Sequence, residues 1–395
     1  MSLKVLKFGG TSLATSQRID RALGLITRTL NEGPVSVVVS AFGGVTNALL
    51  DALAADSIEL AQARLVEIGE RYARSAAELG IAASGQLEIT ACRDEILRLI
   101  GTQPHPKLIC GTTRDQILAS GELLSALLLV ACLRSRQVNA RLLRAETVIL
   151  TDNQFGAACV DLEATTQRIR GLGIEFFQAQ VVVLPGFTGA TAEGETTTLG
   201  RNASDYSAAI FAAALRADLD IYTDVAGVFS ADPNRVAQAR VLPQLSYRQA
   251  HALAAAGASV IHASTLAPFS GLQRTIRVLD SFQPDAPGTT LSEELPPDSS
   301  PICAVALHLN SGKAIVTLLK SPFDSSAAAQ VAAVLCAAGI NAQTPVSVEP
   351  CVHVEVSARD GDQSVHALHE HFVLGIKGTL RPLVSQHANC SLEAV

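Results

Sequence analysis

Residues 35–53, VSVVVSAFGGVTNALLDAL, limit what this chain can fold into more than any other stretch. A continuous β-branched run without polar alternation is the pattern of a strand covered on both faces, as in the middle of a parallel sheet. It passes through a glycine pair into apolar residues at helical spacing. The same plan precedes it. LKVLKFGGTS (3–12) ends an apolar run in Lys7, Phe8 and two glycines, and Ile19, Leu23, Ile26 and Leu30 then recur at helical spacing until Gly33-Pro34. Strand, helix, strand, helix predicts an α/β fold, an open and mainly parallel sheet sandwiched by helices.

The pattern continues downstream. Residues 57–101 read as mainly helical, and SGELLSALLLVACLRS (120–135) as a strongly apolar helix with one acid, Glu122, at its start. AQVVVLPGFTG (179–189) is a strand ending in a Pro/Gly turn, and TTTLGRNASDYSAAIFAAAL (196–215) a polar turn entering a helix. A strand and a loop rich in Asp, Gly and Pro follow at 218–233, then a helix at 246–256 and a strand at 276–280. Residues 283–301 carry five prolines and form the best linker candidate. Beyond them, strand 313–319, helix 326–337, Gly339, strand 351–357 and helix 362–371 predict a smaller α+β domain. The expected division is therefore 1–291 and 292–395.

Composition narrows the partners. A net charge of -7 and a pI near 5.7 argue against a nucleic-acid surface, which needs clustered Lys and Arg. No charged leader precedes an apolar core at the start, and no apolar run approaches the roughly 20 residues of a spanning helix. The expectation is a cytoplasmic protein that contacts no membrane. Its 8 cysteines form no CxxC pair, which favours reduced thiols over a zinc site. None of the 9 histidines has metal-ligand spacing, and His262 in VIHAST reads as structural.

Four glycine-bearing turns, at 7–12, 40–47, 185–189 and 199–207, each follow a strand or precede a helix. In open α/β sheets such turns lie where helix N-termini offer free N–H groups to anions. The lysine precedes the glycines and GxxxxGK[ST] is absent, so this is not a P-loop. In order, KFGGTS, SAFGGVTN, SGELLS, PGFTG, TTTLGRNASDYSAA and TDVAGVFSADP resemble the aspartate kinases of the amino acid kinase superfamily. The resemblance spans residues 3–291, and the smaller domain matches ACT-type regulatory domains in outline.

That resemblance implies an amino acid kinase catalytic domain at 1–291 and an ACT-like regulatory or dimerisation domain at 292–395. The implied reaction moves the ATP γ-phosphoryl group to the β-carboxylate of L-aspartate, the first step of lysine, threonine and methionine biosynthesis. Lys7 would stabilise the transferring phosphoryl group, with the Gly9 and Gly10 amides lining the same anion. Asp205 would orient Lys7, and Arg201 would hold the substrate α-carboxylate. Glu122 would pair with the substrate ammonium. Ser40, Thr46, Phe187 and Ser204 would shape the aspartate pocket, with helix capping the alternative for Thr46, Ser204 and Asp205. Thr223, Asp224, Phe229 and Asp232 fall where adenosine binds. Mg2+ would be held by ATP phosphates and water, with no dedicated protein ligand.

Three departures stand out. Ala203 replaces a usual glycine, which would be costly if the backbone needed φ > 0. Ser259 stands where several members have lysine. The ACT-like region lacks the usual glycine-rich turn for an amino-acid effector, which leaves a homodimer or higher oligomer as its safer role. A kinase for glutamate or a related acceptor is the alternative reading, and a non-catalytic subunit of the same fold is another.

Overall fold

The computed structural model describes residues 3–200, 203–258, 260–296, 299–310 and 312–375. The chain divides into two compact units, and it passes between them more than once. The first comprises Met1–Val228, Pro243–Tyr247 and Ile261–Leu295.

The first unit contains β1 (Lys4–Phe8), β2 (Val35–Val39), β3 (Ala140–Leu142) and β4 (Val181–Pro185). A short ribbon, β5 (Thr188–Ala190) and β6 (Thr196–Thr198), follows, then β7 (Asp218–Thr223), β8 (Gln244–Ser246), β9 (Ile276–Asp280) and β10 (Thr289–Ser292). The main sheet has the order β3-β4-β2-β1-β7-β9-β10-β8. Its pairings are parallel except that of β10 with β9. Strand β1 is central: Lys7 lies beside Val38 on one side and Ile221 on the other. Its neighbours come from opposite ends of the unit's sequence, so the carboxyl end of β1 is a topological switch point, where such sheets bind ligands.

Both β1 and β2 are buried almost throughout, Lys7 and Ser36 included, as strands covered on both faces are. Helix Ser16–Glu32 packs on the sheet through Ile19, Leu23 and Ile26, begins at a Thr15 cap, and stops at Gly33 before Pro34. Helix Gly111–Ser135 is longer than its apolar core suggested. At 25 residues it has the length and hydropathy of a membrane-spanning helix, yet 83% of its most apolar window is buried inside the fold. It is a core helix, packed against helices Val45–Leu53, Ile58–Glu78 and Ala83–Gly101. The proline-rich stretch 283–301 is not all linker. Thr289–Ser292 is a strand of the main sheet, its four residues TTLS alternating buried and half-buried between the prolines.

The second unit comprises Phe229–Leu242, Arg248–Val260 and Pro296–Val395. It holds an antiparallel sheet of β11 (Ile302–Asn310), β12 (Lys313–Ser321), β13 (Val346–Val348) and β14 (Cys351–Ser357), ordered β11-β12-β14-β13. Helices Ala327–Ala337 and Gly361–Phe372 share a core with it around Val316, Leu335, Val354 and Leu368. This is an ACT-like α+β arrangement. Strands β11 and β13 were not expected from the sequence.

Candidate active site

A cavity of about 640 Å³ opens at the carboxyl end of β1, in the first unit. Its wall brings together Lys7, Gly9, Gly10, Ser40, Thr46, Glu122, Phe187, Ser204, Asp205 and Thr223. These residues come from distant parts of the chain, and backbone hydrogen bonds between the turns hold them in place. Ser40 N donates to Phe8 O (3.1 Å), Gly43 N to Gly10 O (2.8 Å), and Gly186 N to Val39 O (2.9 Å). Gly10 is required by close approach: a Cβ there would lie 2.5 Å from the Ala41 carbonyl oxygen. At Gly186 a Cβ would lie 2.8 Å from Ser204 Cβ.

Lys7 is 7% exposed, and its Nζ lies 2.6 Å from Asp205 Oδ1. Asp205 is in the first turn of helix Ala203–Ala214, so the ion pair joins the end of β1 to a helix N-terminus. The pair fixes the ammonium at the rim of the cavity. The amide of Gly9 is engaged elsewhere, donating to Tyr222 O at 3.0 Å, so of the two glycine amides only that of Gly10 is available to an anion. Ala203 is the first residue of that right-handed helix, a conformation any L-residue adopts, so its methyl carries no left-handed penalty.

Glu122 is 4% exposed in helix Gly111–Ser135. Burial pushes its carboxyl up to about 8, against weaker downward pulls from the Ala41 backbone and the Lys7 charge. One carboxyl oxygen, Oε2, has no hydrogen-bond partner. A buried acceptor left open on a cavity wall calls for a donor from a ligand.

Phe187 holds φ at 67°, rare for an aromatic residue. Its amide donates to Ser207 Oγ (2.9 Å) and its carbonyl accepts from Leu199 N (2.9 Å), which fixes the strained turn. Thr46 does not cap helix Val45–Leu53. Gly44 does, at φ 86°, which leaves the Thr46 hydroxyl on the cavity wall.

The nucleotide-side residues are divided. Thr223 lines the cavity and donates to Asp224 Oδ1 (3.2 Å). Phe229 and Asp232 belong to the second unit, where Phe229 bridges to Val241 and Asp232 accepts from Asn234 N (2.9 Å). Arg201 and Ser259 lie outside the described residues. His262 caps the short helix Ala263–Leu266, its Nδ1 2.8 Å from Ser264 Oγ, which is a structural role.

Three residues escaped the sequence reading. Tyr72 is fully buried. Its hydroxyl donates to Gly121 O (2.8 Å), accepts from Phe42 N (3.1 Å), and lies 3.0 Å from Ser125 Oγ. It thus braces the turn after β2 against the helix segment that carries Glu122. Beside it, Arg71 donates to Gly43 O (2.9 Å) and Ala14 O (3.1 Å) and stacks over Phe42. Asp115 is completely buried, and its Oδ2 accepts from Thr198 N (2.7 Å) and Gly156 N (2.8 Å). Asp115 precedes Glu122 by two helical turns, so an acid recurring on one face of an apolar helix was its sequence signal.

Among the described residues no cluster of three or more His, Cys, Asp or Glu could hold a metal ion. A hard cation bound here would be held through ligand phosphates and water, since such ions dehydrate reluctantly.

The profile of the amino acid kinase family matches residues 2–280. The lysine-sensitive aspartokinase 3 of Escherichia coli (strain K12) is 32% identical, over 80% of this chain and 69% of that protein. The aspartokinase of Chlamydia trachomatis is 33% identical, over 79% and 69% respectively. Among solved structures, E. coli aspartokinase III in complex with aspartate and ADP (R-state) has a TM-score of 0.72 and 28% identity. That match covers 92% of this chain and 80% of the other. The chain belongs to the amino acid kinase family.

Proposed function

We propose that this chain is an aspartate kinase, an ATP-dependent phosphotransferase that converts L-aspartate to 4-phospho-L-aspartate in amino-acid biosynthesis. The observation that carries this reading is the cavity itself, whose lining includes both the Lys7–Asp205 pair and the buried Glu122 carboxyl with its unpartnered oxygen. Phosphoryl transfer needs positioning of two anions and neutralisation of charge, with little covalent chemistry from protein.

Glu122 takes the aspartate ammonium, and Arg201 takes the α-carboxylate. Ser40, Thr46, Phe187 and Ser204 orient the β-carboxylate toward ATP. That carboxylate is already ionised at neutral pH, so no general base is required. Lys7, held by Asp205, faces the transferring group together with the Gly10 amide. Thr223, on the cavity lining, and its neighbour Asp224 serve the nucleotide. Mg2+ accompanies ATP and is held through its phosphates and water. Free aspartate and ATP are cytoplasmic metabolites, which fits a cytoplasmic enzyme. The ACT-like unit serves dimerisation, with regulation by an amino acid as its second use.

A coupled ADP-release assay with aspartate, glutamate and acetylglutamate tests this. Turnover of aspartate alone is expected, and turnover of glutamate without aspartate would overturn it. Lys7→Ala should lower kcat by about 10²–10³-fold, since removing one donor to a developing oxyanion costs that order. A loss below about tenfold would remove Lys7 from the transition state.

A further inference from the structure

A second cavity, of about 450 Å³, lies within the first unit and shares no lining residue with the catalytic one. Its floor is apolar, built from Ile96, Leu99, Leu123 and Leu127. Leu123 and Leu127 are the two apolar residues between Ile117 and Leu133 that helix Gly111–Ser135 leaves half-exposed, because they face this space. Cys92 also lines it. Burial pushes that thiol up to about 12, and the charges of Arg144, Glu146 and Glu95 act on it from nearby.

The mouth is polar and asymmetric. Arg144 donates to Glu146 Oε1 at 3.0 Å, while the buried Glu146 Oε2 has no partner. The other two carboxylates at the mouth, Glu88 and Glu95, are paired with Arg134 (4.0 Å) and Arg98 (2.6 Å). Thr196, 8% exposed, also lines the cavity. Glu146 is therefore the one carboxylate of the mouth with a buried oxygen unmet. A polyanion would meet three carboxylates, and a wholly apolar ligand would offer Glu146 Oε2 no donor. A zwitterion with an aliphatic body satisfies every group. Its ammonium reaches Glu146, its carboxylate takes the exposed Arg144 fork, and its side chain covers the leucine floor. Aspartate does not fit, since its side-chain carboxylate would face the apolar floor.

We propose that this cavity binds a free α-amino acid with an aliphatic side chain, held by Glu146 and Arg144 over Ile96, Leu99, Leu123 and Leu127. Binding is read without aspartate or nucleotide, so the result is independent of the kinase reading.

The probe is L-leucine, titrated calorimetrically into the full chain, with leucinamide and 4-methylpentanoate as analogues lacking one charge each. Saturable leucine binding is expected, with both analogues at least about tenfold weaker, the loss of one charged hydrogen bond. Glu146→Gln should weaken leucine by a similar factor. Ala91→Trp, which fills the mouth from an exposed lining position, should abolish binding and leave aspartate turnover unchanged. Three results would overturn the proposal: no binding at about 10 mM leucine, which corresponds to under roughly 3 kcal/mol; leucine binding unchanged in both variants; or leucinamide binding as tightly as leucine. A shift in oligomeric state on Ala91→Trp would also overturn it, by assigning the groove to a second copy of the chain.

Discussion

Replacing Glu122 by Gln keeps the shape of the side chain and removes only its ability to ionise. In the empty protein, burial holds this carboxyl at about 8 against an ordinary 4.5. At 1.36 kcal/mol per unit, that difference is worth a ceiling of about 5 kcal/mol, lowered by any water that reaches the cavity wall. The sign follows from proton binding. Between pH 4.5 and about 8 the folded state holds a proton that the unfolded state has released. The associated stability is full below pH 4.5, declines as pH rises, and is gone above about 8. Urea unfolding of ligand-free protein should therefore show Glu122→Gln gaining on the wild type by about 3–5 kcal/mol between pH 4.5 and 8.5. Other titrating groups are common to both proteins and cancel. Aspartate binding supplies the missing cation and ionises Glu122. Calorimetry in buffers of different ionisation enthalpy should then detect release of about 0.9 proton per site at pH 7 in the wild type and none in the variant. A stability difference that stays flat with pH, together with no proton release, would refute the assignment of Glu122 to the substrate ammonium.

Three further outcomes are expected. Phe187→Gly should be more stable than Phe187→Ala by about 1 kcal/mol in urea unfolding, reversing the usual order because φ at this position is 67°. Both should raise the KM for aspartate. Tyr72→Phe leaves the buried Phe42 N–H without its acceptor, and should cost about 1–3 kcal/mol with a higher aspartate KM. Asp115→Ala strands the amides of Gly156 and Thr198, for a loss of about 2–4 kcal/mol by chemical denaturation. An Asp115 variant as stable as the wild type would show that water replaces the carboxylate.

Elements with a strong period were legible in the sequence. The buried strands β1 and β2, helix Ser16–Glu32 and the helices at 327–337 and 361–372 follow directly from β-branched runs or helical spacing. Apart from the nine-residue β11, which follows directly on the proline-rich stretch, what escaped was short or set by pairing. The three-residue strands Thr188–Ala190, Thr196–Thr198 and Val346–Val348 exist because a partner is present, not because their own residues insist. In the site, Lys7, Glu122 and Asp205 announced themselves as charged residues in apolar or glycine-rich settings. Tyr72 and Arg71 did not, since their work is bonding to backbone atoms that only the fold brings near. The engagement of the Gly9 amide by Tyr222 was hidden for the same reason, being a property of sheet register.

The repeated passage of the chain between its two units has a practical consequence for anyone who wishes to cut them apart. Segment 229–242 comes before strand β8 in sequence, yet Ala231 and Val236 sit in the hydrophobic core with Val316, Leu335 and Leu368. A stop codon after Leu295 would not release a clean kinase module. It would leave Ala231 and Val236 without the core that covers them, and segment 248–260 without the rest of its unit. Such a fragment should be sticky and sensitive to proteases inside 229–260, far from the new terminus. A single cut after Leu295 therefore cannot separate the two units, because each is built from more than one segment of the chain.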